Sequence, residues 1–400
     1  MIKNFKLKIK NSPRIALVHD YIKEYGGAES VLETLFDIYP DADIYTTVYL
    51  PQFLGPHHER LQKKWQNRIH QSFFGYFPFA HKLLSPFRFL SPIAFKSFDF
   101  SNYDLIITSA TGAFFPNSLN KKSAKLICYC HTPPRYLYNL ATARSLNSLF
   151  YKIINIPLQF ILHFYRLFDF TFAQNVDQFI ANSSTTSARI KKFYRRDSII
   201  IHPPVQVKNT TKFANLGVED VRLLRTVEHR KLAIKSEYYL SGSRLTYAKR
   251  FDIAILACNK LKLPLKIFGK GFSDYEQSLK KIAGPTIEFL GEVSQDEKNK
   301  LFTNARAFIY PSDNEDFGIV AVEAQSCGCP VIGYNSGGIA ETVINGKTGI
   351  LFGELTPESC IDAINKFNKS NIKSQDCIAN AQKFSNQVFI EKIQKLLTST

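Results

Sequence analysis

What this chain of 400 residues lacks narrows it first. No apolar run approaches the roughly 20 residues that a helix needs to cross a bilayer. The nearest, Leu149 to Phe170, is interrupted by Lys152, Asn155, Pro157, His163, Arg166 and Asp169, and we expect it not to span. The opening MIKNFKLKIK carries charge without an apolar stretch of signal-peptide length, and the seven cysteines are an odd number; a reducing, cytoplasmic setting is the expectation. Cys128/Cys130 and Cys327/Cys329 stand one residue apart, which is closer than zinc sites use, and no histidine cluster completes either pair. We therefore expect buried thiols, no metal and no cofactor. Acidic residues are scarce: 34 Asp and Glu against 51 Lys and Arg leave a net charge of +17. A chain this basic should seek phosphates, acidic ligands or an anionic membrane face. With 45% hydrophobic, 14% aromatic and only 21% charged residues, disordered and fibrous classes are excluded.

The imbalance is uneven. Residues 1–205 hold 25 basic and 13 acidic side chains, residues 206–400 hold 26 and 21. Arg60 to Lys96 is the extreme, with Arg60, Lys63, Lys64, Arg68, Lys82, Arg88 and Lys96 among nine aromatic residues and no acid. Two readings stand. Apolar and cationic groups together suit an anionic lipid surface; an aromatic core loop with a solvated basic rim gives the same composition.

Short β-branched or aromatic runs alternate with helix-length segments, the pattern of parallel sheets covered by helices on both faces. The expected strands of the first half are 14–19, 43–48, 104–109, 125–130, 178–183 and 198–203; those of the second are 238–243, 265–270, 286–291, 307–312, 330–335 and 350–353. Length favours two domains. The consecutive prolines of His202-Pro203-Pro204-Val205 mark the boundary, because they fix an extended backbone and supply no donors to a sheet. We thus expect domains 1–205 and 206–400, with a loop and a short helix near Val218 to Leu232. A last helix, Ile378 to Leu397, would brace one domain against the other.

Ligands of open α/β sheets bind at the carboxyl ends of the strands, so the cleft between two such sheets is the expected site. Gly26-Gly27 precede a helix over 28–39, and glycines there let backbone amides approach a phosphate or serve only as a tight turn. His19-Asp20 end the first strand and are acceptor-side candidates. His131 follows the strand ending at Cys130, beside Arg135, and is a catalytic candidate. Arg244 and Lys249 lie after a strand and before a helix over 252–261. Cations oppose the dipole of a helix amino terminus unless an anion sits between them, so the pair suits a diphosphate or is only a solvated basic helix start. In YPSDNEDFGIVAVEAQSCGCPVIGYNSGGIAETV, Glu315 falls in a loop and Phe317-Gly318 open a helix. Glu323, eight residues after Glu315, would lie on the face of Ile319. Such carboxylates can accept hydrogen bonds from ribose and sugar hydroxyls, or merely cap a helix.

From RIALVHDYIKEYGGAESV through CHTPPRYLY, FIANSSTTSARIKKFY and HPPV to EDFGIVAVEAQSCGCPVI, the sequence resembles retaining glycosyltransferases of family 4. These have an α/β architecture, the GT-B fold, with two Rossmann-like domains whose parallel sheets face across a cleft. CHTPPRYLY, RLTYAKRFD and EDFGIVAVEAQ together are similar to the mannosyltransferases that build bacterial O-antigen and other surface polysaccharides. The resemblance implies that Arg244 and Lys249 hold the donor diphosphate, Glu323 the ribose and Glu315 the transferred hexose. Asp316, Phe317, Gly318 and Ile319 complete the donor segment with their backbone, His131 lies beside the donor sugar, and Gly26 and Gly27 approach the phosphates or the acceptor. The 206–236 link is longer than usual in that group.

The implied reaction moves a hexose, mannose from GDP-mannose, to a saccharide on a polyprenyl diphosphate carrier, the enzyme being peripheral on the inner face of the cell membrane. Cations and helix dipoles would take the place of a metal in stabilising the leaving diphosphate. No nucleophilic carboxylate is evident, so attack on the same face as the departing phosphate, which takes the proton, is the expected route to retention. An epimerase acting on the nucleotide sugar alone is the enzymatic alternative. A nucleic-acid-binding protein would explain the charge, but no recognition motif supports it.

Overall fold

The computed structural model describes residues 13–138, 140, 149–207, 238–271 and 274–398. Its sheets are set by short apolar runs. Ile15–His19 (β1) and Leu105–Ala110 (β4) are buried along their whole length, as parallel strands covered on both faces must be. With Asp43–Thr46 (β2), Ile69–Gln71 (β3), Lys125–Cys130 (β5), Gln178–Ala181 (β6) and Ser198–Ile200 (β7) they form a parallel sheet ordered β3-β2-β1-β4-β5-β6-β7. A second parallel sheet, ordered β10-β9-β8-β11-β12-β13, is built from Tyr239–Gly242 (β8), Leu265–Phe268 (β9), Ile287–Gly291 (β10), Phe308–Tyr310 (β11), Val331–Tyr334 (β12) and Gly349–Phe352 (β13). In each sheet the order reverses once, at β1/β4 and at β8/β11, and it is beside such a reversal that open sheets leave room for a ligand.

Every strand expected from the sequence is present. The one not expected, β3, is a three-residue edge strand inside the basic aromatic stretch. That stretch is in good part core. Trp65, at the end of helix His58–Trp65 (α2), is fully buried with Phe95, and Phe74 and Phe87 stack at 4.3 Å. Three of its cations answer acids instead of facing water freely. Arg60 and Lys64 pair with Glu33 of helix Gly27–Ile38 (α1), Lys64 also meets Asp37 at 2.6 Å, and Arg68 reaches Asp43 at 3.4 Å. Helix Leu84–Lys96 (α3) closes the stretch.

The long segment 149–170 is part of one helix, Leu149–Gln174 (α4). Among the described residues no helix is long and apolar enough to cross a membrane. Helix Ser184–Tyr194 (α5) follows, its first turn capped by the Ser183 hydroxyl, which accepts from the Thr186 amide at 3.1 Å. The second sheet carries helices Phe251–Leu261 (α6), Tyr275–Ile282 (α7), Gln295–Asn304 (α8), Ile319–Ser326 (α9) and Pro357–Lys369 (α10).

The expected single helix over 378–397 is two helices, Ser374–Gln382 (α11) and Asn386–Thr398 (α12). Between them Phe384 turns inward onto Phe317, 5.4 Å between rings, and onto His202 at 5.1 Å, while its carbonyl accepts from the Val205 amide at 3.0 Å. No glycine or proline marks that break; packing makes it. The helix expected near Val218 to Leu232 lies outside the described residues.

The chain divides into two compact units, Met1–Asn139 with Ile154–Ile201, and Leu140–Ile153 with His202–Thr400. His202 goes with the second unit for a visible reason: its Nε2 sits 2.6 Å from Glu341, and its ring lies 5.3 Å from Phe317.

Replacing Trp65 by Ala should remove about 3–5 kcal/mol of stability, read from the urea midpoint by circular dichroism since no other tryptophan remains to report. Lys63→Ala, exposed two residues earlier, should move it by less than about 0.5 kcal/mol. Equal shifts would show that the stretch is not core.

Candidate active site

In the first unit the reversal point gathers side chains from three strands. β1 delivers His19 and Asp20, both fully buried. One Asp20 oxygen, Oδ2, accepts from the Thr111 hydroxyl at 2.6 Å and from the amides of Ala113 and Phe114 at 3.2 and 3.0 Å, so it staples the loop that leaves β4. The other, Oδ1, and both ring nitrogens of His19 have no hydrogen-bond partner among the described residues. Burial raises the Asp20 carboxyl above the usual range, against the lowering effects of His19, Thr111 and the two amides.

β5 delivers His131, whose Nε2 lies 2.9 Å from Ser109 Oγ on β4. Loss of hydration, and then the neighbouring His19, push its imidazole down to about 3, so it is neutral at physiological pH. The loop after β4 lies flat on the chain following His131: Gly112 has φ +75°, and a Cβ there would meet the Thr132 carbonyl oxygen at 2.6 Å. Arg135 is half-buried in the turn after Pro133-Pro134.

Gly26 and Gly27 open α1, with Gly26 as the cap. Its amide donates to Glu29 Oε2 at 2.9 Å, and Glu29 Oε1 lies 3.5 Å from His19 Nε2. The Gly26 amide is thus already engaged by a carboxylate of its own helix.

In the second unit the reversal point at β8/β11 joins Lys249 to Glu315. Lys249 ends the turn after β8, and its ammonium donates to the Glu315 carboxylate and, at 2.8 Å, to the Tyr310 hydroxyl. Burial works against the charge, but Glu315 and Tyr310 outweigh it and hold Lys249 above the ordinary lysine range. Glu315 also accepts from Ser312 Oγ at 2.7 Å and from Tyr310 at 3.2 Å. Its backbone is clamped. Gly338 donates to the Glu315 carbonyl at 2.7 Å, and a Cβ on Gly337, at φ +59°, would come within 2.2 Å of the same oxygen.

Gly318 caps α9 behind the buried Phe317. The first amide bonded within the helix is that of Ala321, so those of Ile319 and Val320 belong to the open first turn. Asp316 is half-buried, and Arg244 is exposed on the loop leaving β8. Glu323, in the middle of α9, does not meet the Lys249–Glu315 pair; Lys298 of α8 donates to both its oxygens at 2.9 Å.

The sequence reading missed Tyr310, Ser312, Lys298, Ser109, Thr111, Glu29 and Gly337-Gly338. Tyr310 and Ser312 sit in YPSDNE with Glu315 and were open to spacing. Lys298 was not, since QDEKNK resembles any solvated helix face. Among the described residues no group of three or more His, Cys, Asp or Glu could hold a metal ion.

Residues 25–209 match the family described as Glycosyltransferase Family 4, and residues 225–384 the one described as Glycosyl transferases group 1. The alpha-1,3/1,6-mannosyltransferase ALG2 of Dictyostelium discoideum is 27% identical over 327 residues, which is 73% of each chain. That of Homo sapiens is 26% identical over 321 residues, 74% of this chain and 73% of the other. Anabaena Alr3699/HepE in complex with UDP and glucose aligns with a TM-score of 0.66 over 97% of this chain and 100% of its own, at 18% identity. Sucrose-phosphate synthase from Thermosynechococcus elongatus gives 0.68 over 96% and 98%, at 16%. Likeness at that identity is likeness of fold, and the fold is GT-B.

The low imidazole pKa has a signed consequence. An unfolded histidine takes a proton below about 6.5, whereas folded His131 takes one only near 3. Between those values the unfolded state binds more protons, so stability falls as pH falls. The unfolding free energy of the wild type should therefore drop relative to that of His131→Gln between pH 6.5 and 4, by chemical denaturation; parallel profiles would refute a neutral His131.

Proposed function

We propose that this chain, a glycosyltransferase of the GT-B fold with a family 4 domain followed by a group 1 domain, moves mannose from GDP-mannose onto a lipid-linked saccharide with retention of anomeric configuration. The observation that carries the reading is the half-buried Lys249–Glu315 pair at the reversal point of the second sheet, where a permanent cation stands next to a carboxylate. Breaking the bond between an anomeric carbon and phosphate builds negative charge on the leaving diphosphate, and a fixed ammonium stabilises it without reorganising. Arg244, on the same loop, adds a second cation. Glu315 accepts from hexose hydroxyls, the amides of α9 face the phosphates, and Glu323 receives the ribose hydroxyls while Lys298 fixes its orientation.

In the first unit, neutral His131 and the open Asp20 oxygen offer hydrogen bonds, which suits sugar hydroxyls. Arg135 belongs to the acceptor side. Mannose is favoured by the ALG2 relatives, mannosyltransferases by name, at 26–27% identity. The acceptor we favour is a saccharide on polyprenyl diphosphate, of the kind used to build O-antigen and other surface polysaccharides. The enzyme would work at the anionic cytoplasmic face of the membrane. The acceptor attacks from the face that the diphosphate leaves, and a diphosphate oxygen takes its proton.

Thermal shift against GDP-mannose, UDP-glucose, UDP-galactose and UDP-N-acetylglucosamine should show the largest rise in Tm with GDP-mannose, since a ligand that binds the folded state stabilises it by mass action. A UDP preference would overturn the donor. Arg244→Gln with Lys249→Met should lower kcat/KM by about a thousandfold or more, the scale of losing donors to a developing charge. Full turnover by that variant would remove the diphosphate role. Lys298→Met should raise the donor KM about tenfold with kcat little changed, roughly one misplaced charged hydrogen bond, and the rise should vanish with a donor lacking both ribose hydroxyls. An equal rise with that donor would put Lys298 outside ribose binding.

A further inference from the structure

The exposed apolar side chains are not spread over the surface. Of 17 large exposed hydrophobic residues among those described, eleven lie in two segments, 73–93 and 160–168. In α4 they are Phe160, Ile161, Phe164, Leu167 and Phe168, with Phe160 and Phe164 at 68% and 58% exposure. Their spacing of one, four, seven and eight residues is that of a single helix face. The opposite face is also apolar, with Leu162 and Ala173 buried and Tyr165 stacked near Phe115 at 6.0 Å. A helix apolar on both sides is either buried or meets a medium other than water.

α3 lies alongside. Phe89 and Tyr165 are 4.7 Å apart, and the Lys96 ammonium stands 5.7 Å from the Phe172 ring. These contacts are seven residues apart on each helix, so the two run in the same direction. Leu90 and Ile93 are exposed on α3, and Tyr76, Phe77 and Phe79 project from the turn before it, tied to it through Phe77 and Phe87 at 5.8 Å.

Charge decides what could cover this face. From Phe73 to Lys96 there are three cations, Lys82, Arg88 and Lys96, and no acid. From Gln159 to Gln174 the one acid, Asp169, is buried and bonded to the Tyr138 hydroxyl at 2.9 Å, and the one strong base, Arg166, is spent on the Leu137 carbonyl at 2.8 Å. The outward face is therefore apolar with a purely cationic fringe, including exposed Lys82 and Lys96. An apolar face rimmed by Lys or Arg is what lies in the plane of an anionic lipid interface, its side chains about 5–10 Å into the boundary.

We propose that α4 and α3 together form the surface by which this enzyme docks on an anionic lipid leaflet, α4 lying in the interface with Phe160, Phe164 and Phe168 among the acyl chains. This deepens the reading of a membrane-facing enzyme and rests on it, and it redraws the contact. Of the Arg60 to Lys96 stretch that the sequence suggested, Arg60, Lys64 and Arg68 are paired with acids, while α3 and the turn before it stay in the surface and α4 adds the larger apolar face.

The test is flotation of the full chain with vesicles of phosphatidylglycerol and phosphatidylcholine in equal parts, without substrate. Wild type should float, and Phe160→Gln with Phe164→Gln should cut the bound fraction at least tenfold; Leu256→Gln, exposed in the second unit, should float as wild type. If wild type stays in solution, the membrane reading and this surface fall together. If wild type and the double variant float equally, only this surface falls. A double variant that floats normally but turns a lipid-free dimer into a monomer would give the face to a second copy, which also overturns the proposal. Should the double variant fail to fold, Phe164→Trp serves: its emission should be quenched at least twofold by vesicles with brominated acyl chains, while the wild type, with only the buried Trp65, is unaffected. No quenching would sink the idea.

Discussion

The second unit is organised around one desolvated charge pair. Lys249 and Glu315 sit mostly out of water, and taking a charge from water costs several kcal/mol per ion unless a partner and further hydrogen bonds replace the lost hydration. Tyr310 and Ser312 supply those bonds. Because Lys249 arrives from the turn after β8 and Glu315 from the loop after β11, the pair also joins the two strands between which the sheet reverses. The backbone follows: the Asp313 amide donates to the Ala248 carbonyl at 2.9 Å, and Gly337 presses on Glu315 and Gly338 on Phe317 so closely that no side chain fits at either. Phe317 is thereby turned onto His202 and Phe384, which explains why the segment after Ile201 travels with this unit and why the last helical stretch is broken.

The first unit meets the same problem, polar groups at a sheet reversal, in the opposite way. Desolvation dominates there instead of charge pairing. His131 is held neutral and the Asp20 carboxyl is pushed upward, both chiefly by loss of water. A neutral imidazole discriminates hydroxyls by hydrogen-bond geometry, whereas a fixed ammonium attracts phosphate at any physiological pH. The division of labour proposed for the two units, acceptor on one and activated donor on the other, follows from this difference in electrostatics as much as from likeness to relatives.

What sequence could show depended on range. Strands were legible because wholly buried parallel strands are short continuous apolar runs; β3 escaped because three edge residues, Ile69-His70-Gln71, make no run. Lys249 and Glu315 were singled out separately, from a helix start and from a spaced pair of acids, but nothing local said that they touch across 66 residues. Lys298 and Glu323 escaped pairing for the same reason. The helix break at Phe384 is likewise a tertiary event, dictated by the ring it buries.

Hydropathy was right that α4 does not span, but it could not show which of its side chains face outward. Its interruptions ruled out a spanning helix, and none exists among the described residues. Yet Arg166 and Asp169 do not face outward: one is bound to the Leu137 carbonyl, and the other is buried against Tyr138, with loss of hydration pushing its carboxyl up to about 7. Charges consumed inside leave a helix more apolar outside than its composition implies. The reverse holds for α2, where Arg60 and Lys64 are matched by acids of α1 and present less free positive charge than a count of residues suggests. Net charge and mean hydropathy describe a chain; which surface meets an anionic or apolar partner is decided by where the partners of each charge already lie.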